Sequence, residues 1–175
     1  MQQIRLSGTG GQGLILAGII LAEAALLENK LAIQSQSYGP EARGGSSKSE
    51  VIIDTKPIHY PKITKPNVVL SMSQEACNKY TTDLEEDGIL ITDSLFVSKL
   101  PDRKFKKIYE LPITNTAKDE LGKALFSNIV ALGALVKITN CVSLESLTKA
   151  VLARVPKGTE ELNEKALQLG VSLVK

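Results

Sequence analysis

The sequence predicts an open, mainly parallel α/β sheet with helices on both faces and a helical C-terminal third. Three observations lead there. Short apolar runs of strand length alternate with longer runs at helical spacing, the pattern of βαβ units joined by right-handed crossovers. A glycine-dense string, Gly8-Thr9-Gly10-Gly11-Gln12-Gly13, stands between the first such strand and the first such helix. Beyond Thr114 the strand-like runs stop.

Taken in order, Gln3 to Leu6 reads as the first strand. Leu14, Ile15, Gly18, Ile19, Ala22, Leu26 and Leu27 recur at helical spacing, which predicts a helix from Gly13 to about Glu28. Its Ala17, Gly18, Ala24 and Ala25 are small enough to ride close on a sheet. Leu31 to Gln36 reads as a second strand, and a polar, Gly-rich stretch runs from Ser37 to Ser47. Val51, Ile52 and Ile53 mark a third strand. Pro57-Ile58-His59-Tyr60-Pro61 is an extended connection, because each Pro disfavours helix at the residue before it. Asn67 to Met72 is a continuous apolar run, as a strand buried on both faces should be. Ser73 is a suitable N-cap for a helix from Gln74 to about Glu85. Gly88 closes that unit, Ile89 to Ile91 forms the next strand, and Lys107 to Leu111 reads as one more.

From Thr114 onward three helical segments are expected. Asn128 to Lys137 is apolar nearly all round, so it should be buried on most sides. Leu144, Leu147, Val151 and Leu152 line one face of the next, capped by Ser143. Leu162, Ala166 and Leu169 line the last. No repeats appear, and a chain of 175 residues is about one domain, residues 1–175.

Composition excludes several functions. The net charge of +2 and the absence of Trp show no basic stripe and no stacking platform, so no nucleic-acid partner is expected. No apolar stretch reaches about 20 residues free of charge, so no membrane span is expected. Two cysteines and no charged-then-apolar leader fit a reducing cytoplasm. Cys77 and Cys141 cannot supply the four thiolates of an iron–sulfur cluster, and His59 is the single His, too few for a structural zinc set. Both cysteines read as buried small hydrophobes, and His59 reads as a packed residue.

The glycine string carries the chemistry. A strand that turns sharply into a helix leaves the first-turn N–H groups without intrahelical partners, and the helix dipole adds positive potential there. Formally the string is G-x-G-x-x-G. A dinucleotide site would also need an acidic residue at the end of the second strand. Ile33-Gln34-Ser35-Gln36-Ser37 holds none. A nucleotide-hydrolysing loop needs Lys then Ser or Thr after the last glycine, and Leu14 and Ile15 stand there. A second constellation, Tyr38-Gly39-Pro40-Glu41-Ala42-Arg43-Gly44-Gly45, leaves the carboxyl end of the second strand, on the edge where ligands of open α/β sheets gather. Arg43 offers a planar fork for carboxylate or phosphate, and Gly44 and Gly45 let backbone approach closely. The candidate binding residues are therefore Gly8, Gly10, Gly11, Gln12, Gly13, Tyr38, Gly39, Pro40, Glu41, Arg43, Gly44 and Gly45, with no catalytic residue and no metal ligand. Arg103-Lys104-Phe105-Lys106-Lys107 reads as a solvated strand edge.

Both constellations together resemble the gamma subunits of the 2-oxoacid:ferredoxin oxidoreductases, most closely those of the 2-oxoglutarate enzymes. The match continues in Ala17-Gly18, Leu21 to Ala25, Ile58 with Tyr60-Pro61, and Asn128 through Leu135. It departs at Asn67, where the family commonly has Asp, and this puts a local hydrogen bond in question. The resemblance implies a Rossmann-like fold and a subunit inert alone, within a complex that decarboxylates a 2-oxoacid on thiamine diphosphate and passes electrons through iron–sulfur clusters to ferredoxin. Thiamine diphosphate, magnesium and the clusters are then expected on partners, namely alpha and beta subunits and a ferredoxin-like delta subunit. No G-D-G segment for the thiamine metal site occurs here. Coenzyme A is expected at this chain's interface, against the glycine turn and Arg43, with an architectural role for both loops as the competing expectation. The indolepyruvate and pyruvate members share this domain, which leaves the acid open. A free-standing nucleotide or acyl-carrier binding module is the alternative class.

Overall fold

The computed structural model describes residues 1–37 and 45–175. β1 (Gln2–Thr9) passes through the glycine turn into α1 (Leu14–Leu27), and β2 (Leu31–Gln36) follows. Then come β3 (Ser46–Asp54), β4 (Val68–Ser71), α2 (Gln74–Tyr80), β5 (Ile89–Asp93) and β6 (Lys107–Leu111). The last third is α3 (Ile113–Leu121), a 3-10 turn (Ala124–Phe126), α4 (Ser127–Thr139), α5 (Leu144–Leu152) and α6 (Glu160–Ser172).

The strands form one sheet in the order β2-β3-β1-β4-β5-β6. β1, β4, β5 and β6 are parallel, while β3 runs antiparallel to both its neighbours, β1 and β2. Only β3 opposes the common direction, so the expected mainly parallel sheet with helices on both faces is what the chain forms. The first half of β3 exceeds the expected strand. Ser46-Ser47-Lys48-Ser49-Glu50 reads as loop by composition, yet every one of these residues pairs with β1.

Strand alternation divides the core. Ile4, Leu6, Val51, Ile53, Val68, Leu70 and Ile91 project into one large apolar cluster with α1 and α4. Here α4 is buried from Ser127 through Val136, as its all-round apolar pattern required. It packs closely on α6, where a Cβ on Gly170 would lie 2.0 Å from the Val130 carbonyl oxygen. The buried residues of α6 are Asn163, Ala166, Leu167 and Gly170. The expected face through Leu162 is therefore corrected by about one residue, because glycine, not leucine, meets the neighbouring helix; Leu162 is exposed.

The other face lies under α2 and is built on charge. Arg5, 3% exposed, donates from Nε to Glu50 Oε1 at 2.7 Å, from Nη1 to the Tyr80 carbonyl at 2.9 Å and from Nη2 to Asp83 Oδ2 at 3.0 Å. Lys48 Nζ meets the same Glu50 oxygen at 3.1 Å. Burial opposes the Arg5 charge, but its hydrogen bonds to Asp83 and Glu50 outweigh that and lift its pKa above the ordinary guanidinium value. Val69, Leu84 and Leu90 form a small apolar cluster on this side.

α2 ends at Tyr80 rather than near Glu85. Its C-terminal region is closed by Arg103, which donates to the carbonyls of Thr81, Thr82 and Leu84 at 2.8, 2.9 and 2.7 Å. Arg103 is thus a structural cap, not part of a solvated edge. Ser73 caps the start of α2 and Ser143 the start of α5, each hydroxyl accepting from the amide three residues on. α3 was not among the three expected helices. Its polar, β-branched sequence hides it, and Asp93 at the end of β5 secures it by accepting from the Thr114 amide at 3.2 Å. Asn67 retains the hydrogen bond put in question above. Its Oδ1 accepts from the Gln3 amide at 2.9 Å, and its Nδ2 donates to the Met1 carbonyl at 3.2 Å. His59 is exposed rather than packed. Among the described residues no helix is long and apolar enough to cross a membrane.

Candidate functional site

Parallel strands deliver the chain repeatedly to one rim. β1, β2, β4, β5 and β6 all end on the carboxyl edge, where β3 begins. The glycine turn and both described ends of the second constellation meet there. The Gly10 amide lies 3.4 Å from the Gly45 carbonyl, and Ser37 shares a cleft with Gly10, Gly11 and Gly13. Tyr38, Gly39, Pro40, Glu41, Arg43 and Gly44 lie outside the described residues.

The turn is shaped from within. Gly11 has φ +90° and Gly13 φ +74°, left-handed conformations that side chains with a Cβ rarely adopt. Gln12 folds back under them. Its Oε1 accepts from the Thr9 amide at 2.8 Å and its Nε2 donates to the Met72 carbonyl at 3.0 Å. It fills the space a Cβ on Gly8 would need, 2.1 Å from Gln12 Oε1. Gln12 therefore holds the turn, and both ends of its amide are committed inside the chain. Asn128, at the start of α4, donates from Nδ2 to the Gly13 carbonyl at 3.2 Å and fixes the turn from the other side.

Gly13 is the N-cap of α1 and contributes no side-chain cap. The ladder of α1 opens with the Ala17 amide donating to the Gly13 carbonyl at 3.0 Å, so the amides of Leu14, Ile15 and Leu16 precede it. These amides and the positive end of the α1 dipole make the anion-favouring feature of the rim. Two clefts flank the turn. One, of ≈ 430 Å³, is walled by Leu14, Ile15, Leu16 and Ile19. The other, of ≈ 480 Å³, is walled by Phe96, Thr114, Lys118, Leu125 and Ser127. Sequence reasoning missed this second wall, because its residues come from three separate segments beyond β5. Phe96 is 44% exposed and Leu125 75% exposed. Large apolar side chains left open at a ligand-prone edge mark the wall in the structure, and no spacing in the sequence marked it.

No thiol serves this rim. Cys77 and Cys141 are free and buried, as expected of small hydrophobes, and burial pushes both thiols above their ordinary pKa. They are poor nucleophiles in consequence. What the arrangement can do is bind: it offers main-chain donors, an apolar wall on each side, and one lysine.

Known proteins resemble this chain over nearly its whole length. A family model for pyruvate ferredoxin/flavodoxin oxidoreductase matches residues 3–173. The chain is 50% identical to the 2-oxoglutarate synthase subunit KorC of Methanocaldococcus jannaschii, over 99% of this chain and 94% of that one. It is 35% identical to the pyruvate/ketoisovalerate oxidoreductases common subunit gamma of Pyrococcus abyssi, over 95% and 93% of the two chains. Among solved structures, the gamma subunit of a keto/oxoacid ferredoxin oxidoreductase from Geobacter sulfurreducens PCA shares the fold with a TM-score of 0.87 and 51% identity, covering 98% of this chain and 97% of that one. The chain belongs to the pyruvate ferredoxin/flavodoxin oxidoreductase family, and within it to the gamma-type subunits of the 2-oxoacid:ferredoxin oxidoreductases.

Proposed function

We propose that this chain, as one domain over residues 1–175, is the gamma subunit of a cytoplasmic 2-oxoglutarate:ferredoxin oxidoreductase and seats coenzyme A at its carboxyl rim, beside the partner subunits. The observation that carries the coenzyme A reading is the open first turn of α1, set behind Gly11 and Gly13 on the rim from which the 37–45 connection leaves. Coenzyme A carries several phosphates, and helix-terminal amides with a guanidinium are suited to them. Lys118 faces the same turn from the second cleft. The chain's own part is to bind and orient the acceptor thiol's carrier. Thiamine diphosphate, magnesium and iron–sulfur clusters, which supply decarboxylation and electron transfer, belong on alpha, beta and ferredoxin-like delta subunits. Two buried thiols fall short of the four that an iron–sulfur cluster needs. 2-Oxoglutarate is favoured by the relative at 50% identity. The Pyrococcus abyssi relative is named as a subunit common to two oxidoreductases, which supports selection of the acid by other chains.

Arg43→Ala in the assembled enzyme tests the ligand role. The Michaelis constant for coenzyme A should rise at least about tenfold, since a charged hydrogen bond contributes about 1.5–3 kcal/mol. An unchanged constant in an intact complex removes that role. The exposed Phe96 and Leu125 favour a second reading, in which the rim docks a partner subunit. Leu125→Glu would then release the partner, as gel filtration would show, whereas under the ligand reading alone the assembly survives.

A further inference from the structure

The two outer strands of the sheet are protected very differently. β6 is bordered by Lys104, Lys106 and Pro112 and exposes Lys107 and Glu110, devices that keep an open strand from pairing. β2 carries none within it. Leu31-Ala32-Ile33-Gln34-Ser35-Gln36 contains no charge and no proline, and among the described residues its main packing partners are β3 along one edge and α1 over one face. The Ser37 amide donates to the Lys48 carbonyl at 3.2 Å in the β2–β3 register. Antiparallel alternation then assigns Leu31, Ile33 and Ser35 to the β3 ladder and turns the N–H and C=O groups of Ala32 and Gln34 outward.

We propose that β2 pairs antiparallel with β2 of a second copy of this chain, joining the two sheets across a two-fold axis at Ile33. In that register Ala32 exchanges hydrogen bonds with Gln34 of the other copy, and Gln34 with its Ala32. The outward groups of these two residues are all satisfied by the same two residues. Ile33 meets Ile33 at the non-hydrogen-bonded position, where facing side chains come closest. Leu31 falls opposite Ser35 and Lys30 opposite Gln36, so no like charges meet. Ile33 lies on the sheet side away from α1, beside the buried Ile52, and the seam carries that apolar strip from one copy into the other. The interface is isologous and closes on itself, so it gives a dimer and not a fibre. Six residues of strand are less than a standard interface, and the dimer should dissociate in the micromolar range.

Sedimentation of the full chain over that range tests the pairing. Ile33→Lys should raise the dissociation constant by roughly tenfold or more through like-charge contact at the axis. Ile33→Glu should do the same, and mixing the two variants should restore the dimer. Ile33→Cys, a milder change, should crosslink under gentle oxidation, because a non-hydrogen-bonded pair at about 4.5 Å between Cα atoms lies within disulfide reach. The native thiols are buried and will not compete. A wild-type chain that stays monomeric, a dimer indifferent to Ile33→Lys, or an Ile33→Lys change that only releases another subunit from the assembled enzyme would each overturn the proposal.

Discussion

The two faces of the sheet solve the same problem by opposite means. Under α1 and α4 the strands present Ile4, Leu6, Val51, Val68 and Leu70, all of them apolar. Under α2 the same strands present Arg5, Ser7, Glu50, Ser71 and Thr92, each at most 8% exposed. The first face is held by volume and close approach, the second by a guanidinium that finds a partner for each set of donors. A face held by volume should respond to added atoms and ignore pH. A face held by ions should respond to lost partners and to acid.

The largest effect should come from Arg5→Ala. It leaves Glu50 buried with only Lys48 near, and breaking a buried pair on one side costs about 3–5 kcal/mol. Chemical denaturation would measure it. Arg5→Met with Glu50→Leu should recover most of that loss, because apolar replacement of a buried pair is often neutral or better. A double variant as unstable as Arg5→Ala would show the ions to be irreplaceable and break the comparison. Next is Gly170→Ala on the apolar face. The new methyl would press on the Val130 carbonyl and force α4 from α6, at a cost of about 1–3 kcal/mol, seen as a lower melting temperature with no change in its pH dependence.

Acid sharpens the contrast further. Burial works to raise the Asp83 pKa, but the hydrogen bond and charge of Arg5 prevail and hold it below the ordinary carboxylate value. A depressed carboxyl stabilises the fold above its unfolded pKa, and that contribution is lost as pH falls through the folded one. Asp83→Asn should therefore flatten the decline in melting temperature below about pH 4. Glu28 gives the smallest effect. Burial tends to raise it, while hydrogen bonds from Lys30 and from the Ser143 amide, at 2.7 and 2.6 Å, lower it from 4.5 to about 2. Glu28→Gln should lose about 1 kcal/mol at neutral pH, and the difference from wild type should vanish between pH 4.5 and about 2.

The contrast also explains what could be read from the sequence. Apolar periodicity gave α1, β2, β6 and α4 to within a residue or two, and half of β1, whose polar end Ser7 to Thr9 continues the strand. The expected turn at Gly8 to Gly13 carries its own steric signature, and the fold places it on the rim. The polar half of β3 escaped because Glu50 is buried through a partner, Arg5, more than forty residues away, and such pairing leaves no periodic trace. α3 escaped for the same reason: its start is secured by Asp93 of β5, not by a residue of its own first turn. In the candidate site, the glycine string was legible, whereas the wall of Phe96, Lys118 and Leu125 depends on tertiary proximity alone.

One contact ties the beginning of the chain to its end. Gly13 is held by Asn128 of α4, and α4 is seated on α6, which closes at Ser172. Synthesis proceeds from the N-terminus, and chains tend to fold as units. A ribosome therefore releases the loop at residues 8–13 long before its support exists, and the rim acquires its shape only once the last helix has emerged.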